Sequence, residues 1–145
     1  MDSERYVGRS IMTLANAISK SRSRQLEHLG LTTSQADALR FFLEHPGASI
    51  KDLKEHLNVV HQTAQGIITR MVSKGWLSME RSETDKRFQV IHVTDSGRAL
   101  CQQIGENRGR TVTTLLDGMS EEDVANFKRL LHAAYANLKN AGIGQ

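Results

Sequence analysis

The chain has 145 residues, 19 of them lysine or arginine against 16 aspartate or glutamate, for a formal charge of +3 and an isoelectric point near 9.2. That balance permits nucleic-acid binding without demanding it, so the placement of the cations matters more than their number. A single cysteine excludes an internal disulfide framework, and no apolar run approaches the roughly 18 residues of a membrane span.

The acidic start MDSERYVGRS has no signal-peptide core, so the expected location is the reducing cytoplasm. The length suits one domain spanning residues 1–145. From about Glu4 to His28 a long amphipathic helix is predicted, because Ile11, Leu14, Ala15 and Ile18 recur at helical spacing and Leu26 and Leu29 close the pattern. Its middle, Ser19 to Arg24, is polar and basic: a solvated face, a contact with a DNA backbone, or a pocket wall. Thr32 is a natural N-cap for the next helix, with Gln35 in the capping-box position. Leu39, Phe42 and Leu43 supply its buried stripe, and His45-Pro46-Gly47 stops it.

The stretch from Ser49 to Thr94 reads as a helix, a tight turn, a second helix and two strands. Ser49 and Asp52 form a capping box for SIKDLKEHL, whose apolar face is Ile50, Leu53 and Leu57. After Asn58-Val59-Val60, the segment HQTAQGIITRMVSKG places Ala64, Ile67, Ile68, Met71 and Val72 on one side of a helix. The other side holds Gln62, Gln65, Gly66, Thr69 and Ser73, flanked by Thr63 and Arg70. A helix kept only for solubility usually carries more glutamate and lysine there, whereas small donors and acceptors suit base edges in a major groove. Gln62, Thr63 and Gln65 are therefore candidates for base contacts, with Thr69 and Arg70 nearer phosphates. His61 at the helix start either reaches a base or phosphate or is simply solvated. The competing reading is a polar face used for protein docking.

Gly75 stands where a helix C-cap belongs, after which WLSMERS alternates with period two. SETDKR is a polar turn and FQVIHVT a β-branched run, so a two-stranded ribbon is expected with Lys86 and Arg87 near its tip. Such a ribbon can lay cations along phosphates or into a minor groove. Thr94 caps a helix running to roughly Leu116, weakened by Gly105 and Gly109. Ser120 with Asp123 caps a last helix whose wide stripe comprises Val124, Phe127, Leu130, Leu131, Ala134, Tyr135 and Leu138. The apolar surfaces of the terminal helices exceed what the central segment can cover, and a second copy of the chain is the simplest partner.

The run Lys74-Gly75-Trp76, Arg81, Asp85-Lys86-Arg87, Ile91-His92-Val93-Thr94 and Gly97, with Leu31-Thr32-Thr33-Ser34-Gln35 upstream, resembles the signature of the MarR family of multiple-antibiotic-resistance regulators. The resemblance spans roughly residues 31–100. It implies a mainly α fold with a small β-wing, in which a winged helix-turn-helix (about 31–97) is flanked by dimerisation helices (1–30 and 98–145). It implies a homodimer that binds a palindromic operator in double-stranded DNA, and a repressor released by a small-molecule effector. In the wing it implies that Arg87 enters the minor groove, while Asp85 orders the loop by pairing with Arg81 or a nearby cation; Lys86 is a phosphate contact, and Arg81 counts with them among the DNA-binding residues. Two positions depart from the family: Val60 stands where many members cap the recognition helix with serine, and Gly66 where many carry a large or charged residue. Base contacts borrowed from relatives do not transfer across those differences, so the operator sequence is not inferred.

Three other function classes compete with this one. A winged-helix docking module without a DNA target would show no steep salt dependence. A redox-sensing regulator would rest on Cys101, which has no second cysteine to resolve it and otherwise reads as a small core residue. An enzyme would need a phosphate loop, metal motif or nucleophile elbow, and none is present. The six histidines lack zinc spacing, and no cofactor is expected. Trp76, Phe42, Tyr6 and Tyr135 are candidates for lining an effector pocket, with core packing the stronger expectation for each.

Overall fold

The computed structural model describes residues 2–144. In chain order the elements are α1 (Asp2–His28), α2 (Thr33–Glu44), α3 (Ile50–Leu57), α4 (His61–Ser73), β1 (Leu77–Arg81), β2 (Gln89–Val93), α5 (Asp95–Leu115) and α6 (Glu121–Asn140). The chain forms two compact units, and the boundary falls inside α5 between Gly109 and Arg110.

In the first unit the expected caps are formed. Thr32 and Gln35 exchange hydrogen bonds at the start of α2, and Ser49 and Asp52 do so at the start of α3. Helix ends are closed as regularly. After α4, the Trp76 N–H reaches the Met71 carbonyl (3.0 Å) and the Gly75 N–H that of Val72 (2.9 Å), with Gly75 at φ +80°. This double bond needs a left-handed residue between helix and exit, which glycine supplies without a Cβ clash. The same pattern ends α3, where Asn58 takes the left-handed position at φ 53°. Asparagine tolerates that region better than other side chains.

α2, α3, α4 and the base of the ribbon share one core. Leu39, Leu53, Ile68, Met71, Leu77 and Ile91 are its largest fully buried side chains. Phe41, not foreseen as buried, lies between the rings of His45 and His56 at centroid distances of 4.5 and 4.6 Å; Leu43 is half-buried. β1 and β2 pair antiparallel with Leu77 opposite Val93 and Arg81 opposite Gln89. A third contact extends the ribbon inward, because Ser49 bridges to Val90 and the Ile91 N–H donates to the Ala48 carbonyl (3.1 Å). That bridge ties the root of the wing to the start of α3. The ribbon's apolar side is covered only there: Leu77 is buried, while Met79, two residues on, is 40% exposed.

Of the described residues of α1, Leu26 alone is buried, and Tyr6, Val7, Ile11, Met12 and Ile18 lie exposed. Arg22 leaves the helix to pair with Asp37 of α2 at 2.9 Å. In the second unit, Ser120 and Asp123 form the expected capping box on α6. Leu130, Leu131, Tyr135 and Leu138 remain exposed along that helix. The expectation of core packing for Tyr6 and Tyr135 is therefore corrected: they are 72% and 67% exposed, so neither is packed within its own unit. Phe42 is core at 2%, and Trp76 packs against the same cluster.

Candidate nucleic-acid interface

α4 presents the outer face that its sequence pattern required. Ala64, Ile68 and Met71 are fully buried, while His61, Gln62, Thr63, Gln65, Gly66, Thr69 and Arg70 are exposed. Unlike α2, α3 and α6, it starts without a side-chain cap: Val60 occupies the cap position, makes no such bond and is 67% exposed.

Beside α4 lies a cleft of about 490 Å³ between the start of α3, the first turns of α4 and the wing. Five expected site residues meet there: His61 and Gln65 from α4, Arg81 at the end of β1, and Lys86 and Arg87 from the wing loop. Gln62, Thr63, Thr69 and Arg70 line α4's open face without entering the cleft. The cleft also receives Lys51 and Lys54, which sequence reading left out. Their signal was the i, i+3 placement of two lysines on the outer face of α3, but only the Ser49–Val90 bridge brings that face to the wing. Two lysines of α3 and the Lys86–Arg87 pair of the wing loop thus join Arg81 around one concavity, with no carboxylate among its lining residues. Low-dielectric walls lined by one sign of charge concentrate the field on a polyanion.

The wing loop is built around Asp85. Its N–H donates to Ser82 Oγ (3.3 Å), the Phe88 N–H donates to its carbonyl (3.1 Å), and the Arg87 N–H donates to its Oδ1 (3.1 Å). The Arg87 guanidinium then forks onto the same carboxylate, Nε to Oδ1 at 3.0 Å and Nη2 to Oδ2 at 2.8 Å. Of the two expected pairings for Asp85, the one formed is with the nearby cation: Arg87, two residues on, takes the carboxylate through both its backbone N–H and its guanidinium. The Arg87 side chain bond, then its backbone N–H, holds the Asp85 carboxyl below its usual range, against a small opposing effect of burial. Reciprocally, the Asp85 carboxylate raises the Arg87 guanidinium further. The pair stays ionised at neutral pH, and Arg87 remains 84% exposed. A guanidinium has five N–H donors, so several remain for a second acceptor.

A second concavity, of about 140 Å³, lies among α1, α2 and the first half of α5. Its lining includes Arg22, Arg40, Arg108 and Asp37 beside the apolar Leu43 and Ile104; Asp37 pairs with Arg22 at 2.9 Å and lies 3.9 Å from Arg40. Cys101 lines its edge, and burial pushes its thiol up, with Arg98 pulling weakly the other way. Among the described residues no group of three or more histidine, cysteine, aspartate or glutamate side chains converges as a metal site. Among them, too, no helix is long and apolar enough to cross a membrane.

A family model described as MarR family matches residues 29–87. Over 135 residues the chain is 30% identical to the transcriptional activatory protein BadR of Rhodopseudomonas palustris, covering 90% of this chain and 77% of that one. This chain belongs to the MarR family. It is also 30% identical over 114 residues to the organic hydroperoxide resistance transcriptional regulator of Bacillus subtilis, covering 79% and 74% of the two chains. Its fold matches a MepR mutant from S. aureus solved bound to an oligodeoxyribonucleotide, with TM-score 0.76 at 22% identity over 93% of this chain and 97% of that one. Wild-type apo MarR from E. coli superposes with TM-score 0.72 at 24% identity over 88% and 94%. The protein is accordingly a DNA-binding transcription regulator of the winged-helix type and not an enzyme.

Proposed function

We propose that this MarR-family protein acts as a homodimer in which residues 1–145 work as one regulator, reading a palindromic operator and blocking transcription from it. The cleft of basic side chains between α3, α4 and the wing is the observation that carries the DNA-reading part. In this reading α4 lies in the major groove, with Gln62, Thr63 and Gln65 toward base edges. Thr69, Arg70, His61, Arg81 and Lys86 serve the backbone, and Arg87 serves the adjacent minor groove. The MepR mutant above, bound to an oligodeoxyribonucleotide, supports the same use of the fold. The uncovered apolar faces of α1 and α6 support the dimer, since exposed stripes of this kind mark association surfaces. A two-fold dimer sets two recognition helices about one DNA turn apart.

Selection of bound fragments from random duplex DNA, at low and moderate salt, tests this. The expected product is a palindrome whose half-sites lie about 10 base pairs apart, with affinity that falls steeply as salt rises. Salt-sensitive retention without enrichment would indicate a general architectural role instead. No retention at either salt would leave the docking module as the surviving reading.

The concavity among α1, α2 and α5 is the proposed effector site. Three guanidiniums against one carboxylate favour an anion, and a cavity near 150 Å³ accommodates about one benzene-sized ring. A small carboxylic acid bound there would change the spacing of the recognition helices and release the operator. Titration with a panel of small carboxylic acids and amines of matched size should find release by acids alone; an acid that binds without altering operator affinity removes the mechanism. The hydroperoxide-resistance relative is the observation on the side of a redox reading; burial, which pushes the Cys101 thiol up and so disfavours the thiolate, weighs against it.

A further inference from the structure

Gly66 sits in the middle of α4, and nothing inside the protein calls for a glycine there. Its backbone is ordinary helix without the positive φ of Gly30 or Gly75. A Cβ built on it meets no atom within 4 Å, whereas one on Gly97 would strike a carbonyl. Glycine is the poorest residue for a helix interior apart from proline, since it surrenders the most backbone freedom. The position therefore gives up local stability without any return from within the chain.

Openness alone singles out nothing, for Gly8 and Gly109 are equally open. Location does. At about 100° per residue, Gly66 points almost opposite the buried line of Ala64, Ile68 and Met71. Gln62 and Thr63 lie one turn before it, and Thr69 and Arg70 one turn after. The bare spot is thus the centre of a ring of hydrogen-bonding side chains, on the helix that also walls the basic cleft through His61 and Gln65.

We propose that Gly66 is a specificity determinant for the operator: the missing side chain lets the α4 backbone approach a base edge closely enough for the surrounding side chains to reach the groove floor. A Cβ there would hold the helix away and shorten the reach of Gln62 and Thr69 together. The inference rests on the reading of α4 as the DNA-reading helix.

Gly66→Ala separates this from a purely structural role, because stability and specific binding should move in opposite directions. The variant should melt roughly 2–4 °C above the wild type. Its affinity for the operator selected by the wild type should fall at least about tenfold, while affinity for unrelated duplex DNA at low salt stays within about twofold. Operator affinity equal to or above wild type would overturn the inference, and so would a lower melting temperature, which would place the glycine's role in the fold. A wild-type protein that enriches no sequence would defeat the underlying reading and this inference with it; a Gly66→Ala variant that still binds its operator normally defeats the inference alone.

Discussion

Arg87→Ala is expected to weaken operator binding by roughly 10–100-fold and to lower the salt dependence by about one counterion, with no loss of dimerisation or folding. Arg87 pairs with Asp85 and lies 5.9 Å from the centre of the Phe88 ring, and its side chain is 84% exposed, so its removal costs the fold little. What it removes is a planar donor set that the loop has already oriented. Lysine keeps the charge but not the fork, so Arg87→Lys should restore the salt dependence and only part of the affinity. Asp85→Asn should fall between: the cation remains, but the bidentate clamp is lost. Because Asp85's carboxyl is held below its usual range, the clamp is formed at pH values above the ordinary carboxylate range. It is lost only as acid titrates through the still lower folded value. Binding assays between about pH 6 and 8 should therefore show no pH dependence from this pair. Competition titrations of all three variants on one labelled operator check these results, and unaltered binding by Arg87→Ala would exclude the wing from recognition.

Gly97→Ala is expected to destabilise the protein by about 3 kcal/mol, near the upper end of overpacking costs, although alanine is the better helix former by about 1 kcal/mol. The added Cβ would lie 2.2 Å from the Trp76 carbonyl oxygen and 2.9 Å from Val93 Cγ1. The carbonyl cannot simply rotate away. The Trp76 carbonyl accepts from the Thr94 N–H (3.1 Å), the Thr94 hydroxyl donates to the Gly75 carbonyl, and the Gly97 N–H donates back to Thr94 Oγ1 (3.1 Å). Moving the carbonyl breaks the joint that connects the end of α4, both strands and the start of α5. Urea unfolding followed by circular dichroism measures the effect; a loss below about 1 kcal/mol would mean the joint is soft. The contrast with Gly66→Ala is informative, since the same substitution should stabilise one helix and strain another.

Most of the fold was legible because its determinants are local. The pairs Thr32/Gln35, Ser49/Asp52 and Ser120/Asp123 announce helix starts three residues apart in sequence, and Gly75 announces an end. The surprises are contacts between distant segments. Lys51 and Lys54 join the cleft only because Ala48 and Ser49 bond to β2, a pairing that no periodicity encodes. Phe41 is buried through His56 on the next helix. Tyr135 has the right spacing for a core stripe, yet spacing does not reveal whether anything covers the stripe. In the wing, the Asp-x-Arg motif indicated an ordered loop, but the choice of Arg87 over Arg81 depended on a turn closed by the Arg87 N–H itself.

The joint at Gly75, Thr94 and Gly97 also fixes where α5 can turn. Its first turn is bonded to the corner from which the wing begins, while Arg108, eleven residues on, lies about 16 Å away along a helix rising 1.5 Å per residue. A sideways displacement of about 1 Å at Arg108 would then tilt the helix by only about 3–4° at its bonded end. Were those three bonds to hold, the tilt would be handed to β1 and β2 as a rotation of the ribbon, and Arg87 at the far end would swing through the largest arc.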